Sequence, residues 1–385
     1  MKIEKVETFR VCLPTRRVHT WAGNYTPIGK DYVIVKLHVE GGVVGVGEAQ
    51  VLKDWGGDFG ARYGEAPQTT TTIIHEFLAP LLVGEDVRRI ETLHQKMDRF
   101  VRGYPYAKAA LDVAMHDVVG KLHGVPVYQL LGGLVRREIP IAHSLGLMEV
   151  DAAVTEAQQA VDEGIACIKV KVGIDAARDL EVVRKIRQAV GPAIKIRVDA
   201  NQGYRSWKEA LQVTRRMQEY DIWFMEQPVE GVENMARVAQ ATEVPIMADE
   251  SAWSAHDVLR IIQLQAAEMI SVYYTKAGGF MKSKKLLAVA ETGGLRCDIN
   301  GSAEMGVGNA ANLHLAAASA IMDLPGSIPV TSTAEKTVTK IAGHKYLDDL
   351  VTEPFAYKDG HLLVPDGPGL GIELDERKLE KYRVG

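Results

Sequence analysis

The sequence predicts an α/β protein built on a (β/α)₈ barrel, and two observations carry that prediction. From about residue 139 onward, short apolar runs alternate with amphipathic stretches, strand after helix, for eight units. Three carboxylates stand where such runs stop: Asp199 in IKIRVDANQGY, Glu226 in IWFMEQP and Asp249 in VPIMADES. They are 27 and 23 residues apart, and Lys276 in SVYYTKAGG follows Asp249 by another 27. That step is the length of one strand plus one helix. A polar residue recurring once per unit at strand ends is the pattern of a site at the C-terminal mouth of a barrel. No G-x-G-x-x-G follows the first strand-like run, which argues against an open doubly wound sheet.

The elements are justified in order. Residues 2–14 and 32–39 alternate and are β-rich, and Gly41-Gly42 supplies a hairpin turn before residues 43–48. Two long loops, 15–31 and 51–67, are rich in Gly, aromatic and charged residues, a composition suited to a mobile lid. Helical spacing covers 70–83, 90–99 and 105–123, and the last of these stops at Gly124 before Pro126. Strand-like runs then fall at 139–144, 166–170, 194–198, 222–225, 246–248, 269–272 and 295–298, with a weaker one at 320–323. Amphipathic stretches lie between them at 151–163, 176–190, 207–220, 232–241, 254–263 and 281–292. A hairpin pattern in AYKDGHLLVPDGPG closes the chain and is expected to return to the N-terminal lobe.

Bulk composition excludes several classes. The chain has 385 residues and a net charge of −5, with no Lys/Arg-rich block, so no nucleic-acid partner is expected. No apolar run approaches the ~20 residues that span a bilayer, and the N-terminal segment carries no apolar signal-like core. Cys12, Cys167 and Cys297 are scattered and make no disulfide framework, which points to the reducing cytoplasm.

One Asp or Glu after a strand is ordinarily a helix N-cap. Three at one-unit spacing are better read as hard oxygen ligands converging on Mg²⁺, with Mn²⁺ the alternative. One unit earlier, CIKVKVG places Lys169 and Lys171 on the same face of a strand. A free lysine, with a pKa of about 10.4, is mostly ammonium at neutral pH. A neighbouring ammonium and a bound cation both disfavour that charge, so Lys171 is a credible base, with Lys169 as its electrostatic partner. Lys276 arrives from the opposite side of the barrel mouth. A lysine on each face allows one to abstract a proton and the other to return it, or one to act while the other stabilises charge.

These motifs resemble the enolase superfamily, in particular the two-lysine, muconate-lactonizing-enzyme-like side of the mandelate racemase/muconate lactonizing enzyme family. VGVGEA at residues 44–49 looks like the family's G-x-G-E motif, and residues 107–133 are similar to its last capping helix and lead-in to the barrel. Lys169-Val170-Lys171 matches its K-x-K, and Asp199-Ala200-Asn201, Glu226-Gln227-Pro228 and Asp249-Glu250-Ser251 match its metal-bearing motifs. Lys276-Ala277-Gly278-Gly279 matches its sixth-strand lysine motif. The seventh strand reads Arg296-Cys297-Asp298-Ile299-Asn300, without the His of the mandelate-racemase subgroup.

The resemblance implies a modified (β/α)₈ TIM barrel with an α+β N-terminal capping domain completed by the C-terminal segment. The expected divisions are 1–130, 131–350 and 351–385. It implies Mg²⁺ on Asp199, Glu226 and Asp249, supported by Asn201 and Glu250, and removal of a proton α to a substrate carboxylate through a metal-stabilised enediolate. Lys171, Lys276 and Lys169 are the expected catalytic residues. Candidate substrate contacts are Arg16, Arg17, His19, Trp21, Tyr25, Trp55, Asp298, Glu304 and Asp323, and Glu48 either orders the surroundings of the site or closes the cap. Racemisation or epimerisation of an amino-acid-like carboxylate, muconate-type cycloisomerisation and syn-dehydration of a hydroxy acid share this half-reaction, so the barrel motifs leave all three open. A ligand-binding scaffold without turnover is disfavoured, because binding alone does not need a poised base. The resemblance also implies a homo-oligomer, from dimer to octamer.

Overall fold

The computed structural model describes residues 1–22, 32–301 and 303–385. Strands β1 (Ile3–Val11), β2 (Tyr32–Val39) and β3 (Val44–Ala49) form an antiparallel sheet in that order, turned between β2 and β3 by Gly41 and Gly42 at φ of 85° and 79°. Helix α1 (Pro67–Thr72) runs through a wide turn at Ile73–Leu78 into α2 (Ala79–Leu82). The wide turn leads into Pro80, whose ring has no N–H to give the preceding turn. Helices α3 (Ile90–Phe100), α4 (Pro105–His123) and α5 (Val127–Leu130) complete the lobe. Helix α4 is buried on nearly every side because it lies between the sheet and the barrel. Gly45 and Gly47 on β3 permit that approach: a Cβ on Gly47 would stand 2.0 Å from the Ala110 carbonyl oxygen.

A short strand, β4 (Glu138–Pro140), precedes eight parallel strands paired in chain order. These are β5 (Ala142–Leu145), β6 (Cys167–Lys171), β7 (Lys195–Asp199), β8 (Phe224–Glu226), β9 (Ile246–Ala248), β10 (Met269–Val272), β11 (Arg296–Asn300) and β12 (Leu324–Ser327). A parallel bridge between Ile141 and Gly326 joins the two ends into a ring. Outside it run α6 (Val150–Asp162), α7 (Ala176–Val190), α8 (Trp207–Met217), α9 (Val232–Ala239) and α10 (Ala255–Leu264). After β10 a single turn, α11 (Tyr274–Ala277), leads into α12 (Phe280–Thr292), and α13 (Gly306–Ala317) follows β11. Irregular chain, not a helix, follows β12, so the barrel is a modified (β/α)₈.

Three expectations shift. The run at 139–144 divides at Ile141 between two sheets, β4 leaving one and β5 opening the other. The eighth strand starts at Leu324, past the weak run at 320–323. The closing hairpin, β13 (Tyr357–Lys358) and β14 (His361–Leu363), pairs with β4 and not with the N-terminal sheet. It is helix α14 (Glu376–Lys381) and the chain after it that reach that sheet: Cys12 N donates to Tyr382 O at 3.0 Å, and Lys36 Nζ meets Glu376 at 2.6 Å.

One apolar core fills the barrel and its helix layer, and another fills the N-terminal lobe. The second core takes in Trp253 and Tyr273 from the barrel mouth, where Trp55 packs 5.1 Å from each ring centroid. Aromatic burial of this kind contributes heavily to an interface, so the lobe is fastened directly over the strand ends.

Candidate active site

Strands β7 and β8 pair with Asp199 opposite Glu226, and Asp249 follows the end of β9. Three neighbouring strands therefore deliver three carboxylates to one end of the ring, all buried. Strands β6 and β10 stand four places apart in the ring of eight, so Lys171 and Lys276 approach from opposite sides. Lys169 Nζ lies 2.7 Å from Glu226 and 2.8 Å from Asp199. Lys171 Nζ lies 2.6 Å from Asp199 Oδ2 and donates to Asn201 Oδ1 at 2.7 Å. Lys276 Nζ meets Asp249 Oδ1 at 2.6 Å and also donates to the carbonyls of Asp249 and Ser271.

Alternation along the strands explains this set. Side chains two residues apart share a face, so Lys169 and Lys171 both point inward. Asn201 turns back in the left-handed region at φ 44°, its N–H on Asp199 Oδ1 and its amide on Glu250. Gln227, at φ 36°, accepts from the backbone N–H of Asp249 and Ser251, which carries the position of one carboxylate-bearing strand end to the next.

Electrostatics follow from burial and sign. Burial opposes the charge on Asp199, but the ammoniums of Lys169 and Lys171 outweigh it and hold its carboxyl below the usual range. Burial also opposes the charge on Lys169, and the carboxylates of Asp199 and Glu226 outweigh it upward. Glu226 is pushed up to about 8 by burial and then by the charge of Asp199, and Glu250 to about 8 by burial and then by Asp249. Glu226 Oε2 is buried without a hydrogen-bond partner.

Among the described residues no three ligating side chains are drawn together around one point, because lysine ammoniums lie between the carboxylates. The donor chemistry nevertheless fits a hard divalent cation. Three carboxylates converge on one end of the ring, one of their oxygens is unpartnered, and burial followed by the charge of Asp199 raises Glu226.

A cavity opens over these groups. Its walls include Lys169, Lys171, Asn201, Trp55, Tyr273, Asn300, His19, Trp21 and Lys345. Aromatic faces cover the two lysines that approach from opposite sides: Trp21 lies 5.8 Å from Lys171 Nζ, and Tyr273 and Trp55 lie 4.4 and 5.6 Å from Lys276 Nζ. The loop carrying Trp55 is pinned to the barrel by Asp58, which accepts from Gln202, Gly231 and Ser251.

The remaining sequence-derived candidates divide. His19, Trp21 and Trp55 reach the cavity. Arg16 and Arg17 do not; both pair with Glu156 on α6 at 2.8 and 2.7 Å, and so fasten the loop. Tyr25 lies outside the described residues. Asp298 sits one layer deeper than the strand end, paired with Arg197 at 2.7 Å, because it comes two residues before the cavity-lining Asn300. Asp323 pairs with Arg296 at the far end of the barrel, since β12 begins only after it. Glu304 is buried beside Gly301 and Gly308, apart from the cavity wall. Glu48 accepts from the N–H groups of Met305 and Gly308, so it ties the lobe to the N-terminus of α13. Asn300 and Lys345 also line the cavity, outside the sequence-derived candidates. Asn300 occupies the strand-end position and was legible by register; Lys345 follows irregular chain and carries no local signal.

The family model described as mandelate racemase/muconate lactonizing enzyme, N-terminal domain, matches residues 5–132, and the one described as enolase C-terminal domain-like matches 152–378. The chain is 32% identical to N-succinyl-L-Arg/Lys racemase of Bacillus cereus over all of this chain and 98% of that one. A crystal structure of that racemase superposes with a TM-score of 0.90, covering 100% and 99% of the two chains at 29% identity. Muconate cycloisomerase 1 of Rhodococcus opacus is 32% identical over 97% of this chain and 96% of its own. L-Ala-D/L-Glu epimerase of Bacillus subtilis is 30% identical over 97% of each.

Proposed function

Because the chain belongs to the mandelate racemase/muconate lactonizing enzyme family of the enolase superfamily, we propose that it is an isomerase that racemises or epimerises an N-acyl amino acid or similar carboxylate by moving the proton α to that carboxylate. The observation that carries the reading is the pair of lysines facing each other across the carboxylates, Lys171 from β6 and Lys276 from β10. One removes the α-proton from one face of the substrate and the other delivers a proton to the opposite face. Lys169 stays charged between Asp199 and Glu226 and offsets the negative charge that builds on the substrate carboxylate. Asn201 holds Lys171 by its side-chain oxygen and fixes Glu250 by its amide, so base and carboxylate keep their spacing. Trp21, Trp55 and Tyr273 exclude water around both ammoniums, which strengthens every charge interaction inside. Asp199, Glu226 and Asp249 are the residues to hold Mg²⁺ or Mn²⁺, which when bound supplies Lewis-acid stabilisation of the substrate carboxylate.

The decisive experiment incubates each enantiomer of a panel of N-acyl amino acids with the protein and Mg²⁺ in deuterated water. Expected are α-proton exchange by NMR for both enantiomers and decay of optical rotation. If nothing in the panel exchanges, the reading is lost. The likeness to muconate cycloisomerase supports cycloisomerisation as the second reading, and loss of cis,cis-muconate absorbance with no exchange in the acyl panel would select it.

The proposal extends to organisation. Residues 1–130 form the cap, 131–350 the barrel, and 351–385 the returning segment, of which α14 and the chain after it reach the cap sheet while the hairpin pairs with β4, the whole working as a homo-oligomer in the cytoplasm. Cys12, Cys167 and Cys297 are free thiols, in keeping with a reducing compartment, and no helix among the described residues is long and apolar enough to cross a membrane.

A further inference from the structure

The turn that carries Lys276 is gripped at both ends by the N-terminal lobe. Helix α11 begins at Tyr274, whose hydroxyl donates to the Glu48 carbonyl on β3 at 3.2 Å. Beyond it, Gly278 and Gly279 turn at φ of 92° and 111°, and the N–H of Phe280, the first residue of α12, donates to Asp112 Oδ2 on α4 at 2.6 Å. Two successive glycines give a turn little stiffness of its own. A helix-initial N–H has no partner within its helix, so this one depends on what stands opposite it. A Cβ on Gly279 would lie 2.4 Å from the Asp112 carboxyl carbon, so glycine here also lets the carboxylate reach the helix end.

Asp112 is itself held from two helices. It is buried, His94 Nε2 on α3 donates to its Oδ1 at 2.6 Å, and His116, one turn along α4, stands with Nδ1 3.4 Å from Oδ2 and 2.9 Å from the Asp112 carbonyl. Burial opposes the charge on Asp112, but His116 and His94 outweigh it and hold its carboxyl below the usual range, so an anion faces the positive end of α12. The His116 ring packs edge-on against Phe280 at 5.2 Å. A second clasp runs beside the first: Asp98 on α3 pairs with Lys108 of α4 at 2.8 Å and with Lys282 of α12 at 2.7 Å. Lys171 is aimed differently, since its hydrogen bonds to Asp199 and Asn201 both stay within the barrel. The lobe therefore grips the backbone that carries one reacting lysine, while the other stands on the barrel alone.

We propose that Asp112, braced by His94 and His116, is a positioning residue for Lys276: through the N–H of Phe280 it holds residues 274–279 so that the ammonium stays on Asp249 Oδ1 and serves one face of the substrate. This rests on the proton-transfer reading above and adds to it that the lobe governs the two faces unequally. Without Asp112 the turn loses its outer anchor, whereas Lys171 keeps both of its partners. A misplacement of about 1 Å in a reacting group costs about 10²-fold in rate.

The test uses Asp112→Ala, which removes both acceptor oxygens, and Asp112→Asn, which keeps one, alongside Lys276→Ala, all with Mg²⁺. Exchange in deuterated water is followed for both enantiomers of whichever N-acyl amino acid of the panel the wild type exchanges fastest. Lys276→Ala identifies the enantiomer that depends on Lys276. Asp112→Ala is expected to lower kcat for that enantiomer by about tenfold to a hundredfold with KM little changed, and to leave exchange of the other near wild type. Asp112→Asn falls between. Equal losses for both enantiomers mark a general prop of the fold and overturn the assignment, as does wild-type exchange by both variants. Backbone amide exchange read by mass spectrometry needs no turnover: in Asp112→Ala, residues 274–283 are expected to lose protection by about tenfold or more while residues 167–172 keep theirs. Protection unchanged at 274–283, or lost alike in both segments, overturns the proposal. Where Asp112→Ala does not fold, Asp112→Asn carries both comparisons. A wild type that exchanges nothing in the panel sinks the proton-transfer reading instead, and the amide measurement then judges Asp112 alone.

Discussion

Lys276 makes three hydrogen bonds from one ammonium, all to groups at the ends of β9 and β10, and its neighbour Tyr273 donates to the other oxygen of Asp249 at 3.2 Å. It is therefore aimed by backbone as well as by charge. Lys171, across the ring, is aimed by Asp199 and Asn201. A positioned acid or base contributes about 10²–10⁴-fold in rate. Lys276→Ala is accordingly expected to cut racemisation by about that factor while exchange of the enantiomer served by Lys171 continues. NMR of each enantiomer in deuterated water reads the two rates separately. Wild-type exchange of both enantiomers by the variant would remove Lys276 from the reaction. At this scale the sequence is most legible where a strand stops: Asp199, Glu226, Asp249 and both lysines reach the same mouth as expected. Asp298 and Asp323 misled because each lies a few residues short of a strand end, and a few residues change the layer or the end of the barrel that a side chain reaches.

Two elements invite measurement. The first is the seam between β3 and α4. A methyl group on Gly47 would collide with backbone at Ala110, which no side-chain rotation relieves. Gly47→Ala is expected to cost about 1–3 kcal/mol or more, seen as a lower midpoint in urea. The second is the loop anchor on α6. Burial opposes charge on Glu156, but His143 and Arg17 outweigh it and hold its carboxyl below the ordinary 4.5. Glu156 therefore contributes stability above that ordinary value, and the contribution fades as pH falls through the lower folded value. His143 is pressed by burial from 6.5 to about 4, so between those values the unfolded chain takes up a proton that the fold refuses. Both groups lower stability in the same direction, towards acid. The thermal midpoint should fall from pH 6.5 to pH 4 as the unfolded chain protonates His143 and fall further below pH 4.5 as the Glu156 contribution fades, and Glu156→Gln should lower it at neutral pH and flatten the slope below pH 4.5. A slope left unchanged by that substitution would show that the anchor does not govern it.

At the scale of the whole molecule, the barrel mouth concentrates buried charge, three carboxylates interleaved with Lys169, Lys171 and Lys276. Burial together with Asp199 raises Glu226 to about 8. A ligand that binds only the folded chain stabilises it by about 2.7 kcal/mol at a hundredfold excess over Kd. Millimolar Mg²⁺ is therefore expected to raise the melting temperature and EDTA to reverse it, with activity lost and regained in parallel. Asp249→Asn should abolish the shift. An identical melting curve with and without Mg²⁺ would contradict the assignment of these carboxylates as ligands.

The sequence by itself determined the barrel and the register that brings its carboxylates and lysines to one mouth, because strand alternation and one polar residue per unit are local patterns that survive without knowledge of the neighbours. Only the tertiary structure decided what depends on which distant segments meet. Arg16 and Arg17 became loop anchors because Glu156 lies on the first barrel helix, and the closing hairpin chose β4 over the N-terminal sheet. Lys345 joined the cavity because residues 15–16 and 345–347 pair across more than 300 residues of chain, and no period in the sequence records a contact of that range.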